Sequence, residues 1–375
     1  FGPLLGGVLT DAASWRWVLF LNLPVAAIAV LVTRLEVPAD KGSAAHERVD
    51  YAGVATLTLG LVALLVALDQ STDWGWTDPR ILGLLAVCVG GLLSFVAIER
   101  RAGRNALVPR DVFSSRAFVA AAGCVLLVSA TFFAVLLYVP QVMQKLLGFT
   151  PLQAGFGFLP MMAIFAAVSF VAGPLYDRFG GKLIICAGAG GLPVGVFLLS
   201  LAGASRYWTL VPGVVLLGIG LGLFYSTITA AAVTALDAAR SSLAGGIIYM
   251  CQIAGGAVGL GLTTTVFTRV ADAHVRSQAV ADRLSSAQEH AVGHVLTGNE
   301  TGQQLLTAFP GAAAQLERVA HDAFLAGVQA AFRLDAALAF GGFLVALLFV
   351  GGPLRLPSRR RRLRSGMDPH AAEPG

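Results

Sequence analysis

Gly173-Pro174-Leu175-Tyr176-Asp177-Arg178-Phe179-Gly180-Gly181-Lys182 stands between two apolar runs, each long enough to cross a bilayer. In hydrocarbon every backbone N–H and C=O must be satisfied internally, so a spanning segment is helical. A tight turn bearing Asp, Arg and Lys therefore belongs where one spanning helix reaches water and the next begins. The stretch predicts a charged hairpin over 176–182, joining helices near 152–175 and 183–203.

Composition extends that reading to the whole chain. Hydrophobic residues make up 56% and charged residues 13%, with a mean hydropathy of +0.76. Soluble domains carry roughly 25% charged residues, so this is a polytopic, all-α membrane protein. Its formal charge of +5 would raise nucleic acid as a partner in a soluble protein. Here the basic residues gather in loops between apolar runs and at the C-terminal end, as loop anchors do, and no nucleic-acid partner is expected. Cys88, Cys124, Cys186 and Cys251 each lie alone in an apolar run, without metal-ligand spacing, and read as small apolar fillers.

Taking about 17–25 apolar residues per crossing, the chain divides into a stub at 1–10 and nine spans. These lie near 18–34, 51–68, 81–98, 117–139, 152–175, 183–203, 208–231, 243–267 and 334–353. The opening residues look like the second half of a spanning helix, so the sequence is expected to be a fragment. One set of alternate loops holds 17 of the 26 Lys and Arg, which makes that set cytoplasmic. The basic tail 354–375 then lies inside, as a stop-transfer anchor or in contact with anionic lipid. The 268–333 loop lies outside, and Trp15, Trp17, Trp74, Trp76 and Trp208 fall at the outer interface. Residues 269–292 and 313–333 of that loop have helical spacing and are expected to form two amphipathic helices lying on the outer face. His290 and His294 stand four apart there, compatible either with a solvated face or with part of a metal site. Asn299-Glu300-Thr301 fits a glycosylation sequon.

The pattern Gly-x-Leu-x-Asp-Arg-x-Gly-x-Lys at 173–182 resembles the loop motif of the major facilitator superfamily. Gly181 stands where that family usually carries a second basic residue. Gly2-Pro3-Leu4-Leu5-Gly6-Gly7 is similar to the family's antiporter motif, although alone it would fit an ordinary small-residue packing seam. It is followed by Ser14-Trp15-Arg16-Trp17, and further on by Tyr138-Val-Pro140-Gln141 and Gly148-Phe-Thr150-Pro151-Leu-Gln153-Ala154-Gly155. Together these resemble the fourteen-helix drug:proton antiporter branch.

The resemblance implies a major facilitator transporter fold with ten of fourteen helices present, the first partial. Residues 1–35 would hold helices 5 and 6, the end of an N-terminal six-helix bundle. Residues 36–116 would hold linkers and the additional helices 7 and 8, and 117–353 the C-terminal six-helix bundle. It implies export of small amphipathic drugs or natural products from the cell, across the plasma membrane, in exchange for protons and without a cofactor. Gly173, Asp177, Arg178, Gly180 and Lys182 would form a conformational-switch loop, with Asp177 capping or attracting the next helix; a purely structural loop is the alternative. Gly2, Pro3, Gly6 and Gly7 would form the antiporter motif.

For a substrate cavity the residues say less. Tyr225, Thr229, Tyr249 and Gln252 are polar groups on spanning helices that could line a path or bond between helices. The glycine runs around them suit tight helix packing. They lack the Lys-Ser/Thr of a phosphate-binding loop, so ATP-driven transport is not expected. No ionisable residue falls near a span centre, since Asp335, Glu99 and Lys182 read as helix ends, and a proton carrier is expected outside this sequence. Two alternatives stay open: a major facilitator transporter of a metabolite, lipid or sugar, and a membrane enzyme or non-transporting membrane protein. The second is disfavoured because no Ser/His/Asp or metal cluster is set by spacing within the spans.

Overall fold

The structure is a computed structural model and describes residues 2–12, 14–36, 50–75, 77–102, 115–202, 206–234, 241–282, 284–297 and 309–350. Trp76, the sequon at 299–301 and the basic tail lie outside these residues. Among the described residues the regular elements are helices. They are α1 (Gly2–Ala12), α2 (Trp15–Glu36), α3 (Tyr51–Trp74), α4 (Pro79–Ala102), α5 (Arg116–Lys145) and α6 (Pro151–Phe179), then α7 (Gly181–Leu201), α8 (Val211–Thr234), α9 (Ser241–Asp282), α10 (Ser286–Thr297) and α11 (Ala313–Phe349). Nine of these are long and apolar enough to cross a bilayer.

Six of them, α5 to α9 and α11, form one bundle. Its main pairs are α5–α9, α6–α8, α7–α8, α7–α11, α5–α11 and α9–α11. Exchanging α5 with α8, α6 with α9 and α7 with α11 carries α5–α9 onto α8–α6 and α7–α8 onto α11–α5. Each set of three makes an odd number of crossings, so the second set is inverted relative to the first. That is the relation of a nested 3+3 inverted repeat, carried by these pairs and not by α9–α11, whose counterpart α6–α7 packs far less closely.

Glycines set the helix separations. A Cβ on Gly218 or Gly222 of α8 would come within 2.7 Å and 2.8 Å of the Met161 and Phe165 carbonyl oxygens of α6. On the related pair, Gly255 and Gly259 of α9 lie against Leu126 and Ala130 of α5. Between α7 and α8, Gly188 packs on Gly220 and Gly195 on Gly213. Lipid gives no hydrophobic drive for helix association, so close van der Waals approach through small residues must supply it. That is the packing role expected of the glycine runs. The core between these helices is filled by Val128, Val135, Phe158, Leu192, Leu217, Phe224 and Phe332, all nearly inaccessible.

The remaining helices dock on this bundle. The α3–α4 hairpin crosses at Gly60 and Gly91 and rests through Leu68 on Gly261 of α9. α1 packs on α6 and on α2. Trp15, Trp17 and Trp208 are widely exposed at the ends of helices that share one side of the alternating topology, as an interfacial belt requires.

Two expectations need correction. The segments 269–292 and 313–333 are not a pair of helices lying on the outer face. Most of the first continues α9, which runs 42 residues, and the second continues α11, which runs 37. At 1.5 Å per residue these measure about 63 and 55 Å against a hydrocarbon core of about 30 Å. Their ends rise beyond it and pack with α10 around Ala271, Val275, Val292, Leu296, Leu316 and Val319. A shared buried face replaces the membrane surface as the partner of their apolar stripes. α5 braces this cap, with Lys145 Nζ donating to the Leu296 carbonyl at 3.4 Å and lying 5.0 Å from the Phe324 ring centre. The second correction concerns Asp335, which is no helix end. The continuity of α11 places it well inside the helix and fully buried.

Candidate functional site

At the 173–182 stretch the structure is tighter than a seven-residue loop. α6 runs on to Phe179 and α7 starts at Gly181, so Gly180 alone makes the corner. Its φ of 88° lies in the region a Cβ disfavours, which accounts for glycine there. Gly180 N–H donates to the Tyr176 carbonyl at 2.9 Å and closes the end of α6. Gly180 is also the N-cap of α7, and no side chain bonds to that helix end. Asp177 therefore does not cap α7. It sits exposed on the last turn of α6 beside exposed Arg178, whose guanidinium stacks 5.2 Å from the Phe179 ring centre. Gly173 faces open space and Lys182 is half-buried. A Cβ at Gly181 would lie 2.5 Å from the Tyr176 ring, so the aromatic ring fills the place where the resembling family carries a second base.

The second feature is the seam between α1 and α6. A Cβ on Gly7 would stand 2.8 Å from the Pro151 carbonyl oxygen, so only glycine lets α1 reach the start of α6. That start is firmly built. Thr150 and Gln153 form a reciprocal capping box, with Thr150 N–H donating to Gln153 Oε1 at 3.0 Å and Gln153 N–H to Thr150 Oγ1 at 3.2 Å. Pro151 occupies the first helical position, where its missing N–H needs no partner. Beside the seam lies a cavity of about 550 Å³, lined by Gly2, Gly6 and Thr10 of α1, by Leu136, Pro140 and Gln144 of α5, and by Ala154 of α6. Pro3 lies in α1 between these glycines. A 3₁₀ turn at Tyr207–Thr209, ahead of α8, is tied to the bundle by Tyr207, whose hydroxyl donates to the Gly157 carbonyl at 2.9 Å. Burial pushes that phenol up from its ordinary range, so it stays a donor.

Among the four cavity candidates, Tyr225 shares a hydrogen bond with Ser129 of α5 at 2.8 Å and stacks edge-on with Phe132. Its hydroxyl is thus engaged between helices. Thr229, one turn on, is exposed and donates to the Tyr225 carbonyl. On α9, Tyr249 is 63% exposed and Gln252 half-buried. No hydrogen bond joins the α8 pair to the α9 pair among the described residues. In the α9–α10–α11 cap, His290 Nδ1 lies 2.6 Å from the Ser286 carbonyl of its own helix, while the His294 side chain is outside the described residues.

Sequence reasoning missed a polar knot inside the bundle. Thr263 of α9 donates to Asp335 Oδ1 at 2.7 Å, and Thr131 of α5 donates to the Asp335 carbonyl at 2.9 Å. Next to it, Tyr138 OH donates to Thr264 Oγ1 at 3.1 Å. The Thr263-Thr264-Thr265 run was the available signal, since three adjacent hydroxyls in a glycine-rich span need partners.

The profile of the Major Facilitator Superfamily matches residues 1–260, more than half of the chain. This chain is a member of the major facilitator superfamily. It is a multi-pass membrane protein, and the relatives it resembles are named as resistance and export proteins, not enzymes. It is 28% identical over 295 residues to the multidrug resistance protein Stp of Mycobacterium tuberculosis, covering 79% of this chain and 55% of that protein. It is 30% identical over 279 residues to the puromycin resistance protein pur8 of Streptomyces alboniger, covering 73% and 55%. With the tetracenomycin C resistance and export protein of Streptomyces glaucescens it shares 29% identity over 364 residues, covering 92% and 65%. The chain thus spans little more than half the length of the first of these relatives.

Proposed function

We propose that this major facilitator chain takes part in exporting amphipathic drugs or natural products across the plasma membrane, by alternating access coupled to inward proton flow. The observation that carries the reading is the Gly7–Pro151 seam. A motif similar to that of antiporters forms a close backbone contact with the six-helix bundle, next to a cavity of about 550 Å³. Such a contact can hold one side of a transport path shut and open when the two halves rock. The resistance and export relatives support drugs and natural products as cargo.

In this reading α1 and α2 belong to the N-terminal bundle, α3 and α4 are an additional pair, and α5 to α9 with α11 form the C-terminal bundle. The Gly180 corner and the C-terminus face the cytoplasm, and the α9–α10–α11 cap faces outward. Gly173, Asp177, Arg178, Gly180 and Lys182 act at the inner closure. Tyr225, Thr229, Tyr249 and Gln252 are assigned to the surface that substrates meet. The test is accumulation of a fluorescent lipophilic cation in an efflux-deficient bacterial host expressing the protein. Lower accumulation than in the empty host, restored by collapsing the proton gradient, is the expected result. Equal accumulation at verified membrane insertion would refute drug export.

A further inference from the structure

The knot around Asp335 joins three helices and contains an acid with no ion-pair partner among the described residues. Asp335 is 0% exposed. One carboxylate oxygen accepts from the Thr263 hydroxyl, and the other, Oδ2, has no hydrogen-bond partner. Thr131, which bonds the Asp335 backbone, is midway along the 30-residue α5, so the acid lies deep within the bundle. An ionised carboxylate in such a place is very costly without a counter-ion or a full set of donors.

Among the described residues no counter-charge meets it. The titratable group that α5 brings to the same stretch of α9 is Tyr138, whose hydroxyl donates to Thr264. From α9 it meets the hydroxyl of Thr263; Arg269 is exposed and, like Asp272, lies about 9 Å or more further along that helix from Thr263. α7 meets α11 through Gly190 to Phe197 opposite Ala336 to Phe343. The α7 base, Lys182, is about 22 Å below Phe197. α10 packs at the level of Phe324, where Lys145 bonds Leu296, about 16 Å above Asp335 along α11. On α11 itself Arg333 is exposed, whereas Asp335 is buried.

We propose that Asp335 carries a proton on Oδ2 and is a proton-exchanging site at the α5–α9–α11 junction. The assignment rests on the antiport reading above only for its use in transport. When the junction parts, water reaches Oδ2 and takes the proton, leaving a carboxylate that keeps the Thr263 donor. When it closes, the buried site favours the neutral acid again. Protonation and helix separation are thereby linked in opposite senses, which is what a coupling site requires. Thr264 and Thr268 follow Thr263 along α9 towards the α9–α10–α11 cap, and their hydroxyls and that of Tyr138 are polar groups such water would meet on that side.

Infrared difference spectra of the reconstituted protein, wild type against Asp335→Asn, read this site directly. The expected result is a protonated-carboxyl C=O band that is missing in Asp335→Asn, shifts in heavy water and is lost reversibly as the pH rises. Thr263→Val, which removes the one donor, shifts the band to higher frequency. A spectrum without such a band at neutral pH, or with a band indifferent to both pH and heavy water, overturns the proposal. Flux driven by a pH gradient in the same vesicles separates the two readings. A titrating band with no wild-type flux sinks the transport reading and leaves the proton site standing. Wild-type flux that is undiminished in Asp335→Asn sinks its use in coupling.

Discussion

Gly7 and Gly180 show how single residues without side chains carry the site. At Gly7 the neighbour is a backbone carbonyl 2.8 Å from the added Cβ, which cannot move aside as a side-chain tip can. Gly7→Val is predicted to separate α1 from α6 and abolish most export at equal protein level, whereas Gly123→Ala, with open space around it, retains it. Export by both variants at the same rate would contradict a closing role for the seam. Asp177 is exposed and makes no cap, so in the proposed function it acts by charge on neighbouring helix ends. Asp177→Asn is predicted to slow export without changing insertion, and unchanged efflux would argue for a purely structural corner. The role of glycine at position 180 was legible in sequence, because a charged turn between spans needs a sharp bend. The Tyr176 ring that fills the space beside Gly181 was not, since it depends on how the end of α6 meets α7.

Helix identity and number followed from hydropathy, because a bilayer allows a spanning backbone few alternatives. Helix ends did not follow so well. Amphipathic spacing at 269–292 and 313–333 correctly marked helices, but it could not say that they continue α9 and α11. The partner that buries their stripes is the other extension and not lipid, and sequence spacing is blind to that choice. The same limit hid Asp335, which looks terminal until α11 is seen to be continuous. At α6 the start is fixed by the Thr150–Gln153 box. Thr150→Ala is predicted to cost about 0.5–2 kcal/mol and to lower the thermal midpoint of the detergent-solubilised protein. A midpoint equal to wild type would show that tertiary packing alone sets this helix end. Lys145→Met is predicted to loosen the outer cap, seen as faster hydrogen exchange over 286–297 with little change in the spanning helices.

Across the whole molecule, the glycine contacts and helix pairs describe one six-helix bundle, with α1 packed at the start of α6 and the Gly180 corner at its other end. The proposed sidedness can be tested without substrate. In a chain whose four cysteines are replaced, Arg318→Cys on the outer extension of α11 is predicted to react with an impermeant maleimide in intact cells. Arg178→Cys is predicted to react only after the membrane is opened; the reverse pattern would invert the assigned topology. The most direct trial of the account is substrate movement in proteoliposomes under an imposed pH gradient. The account predicts that a lipophilic cation moves against its concentration gradient while protons flow the other way, and that the movement stops when the gradient is collapsed. Movement that is indifferent to the pH gradient, or none beyond that of empty liposomes, would contradict it.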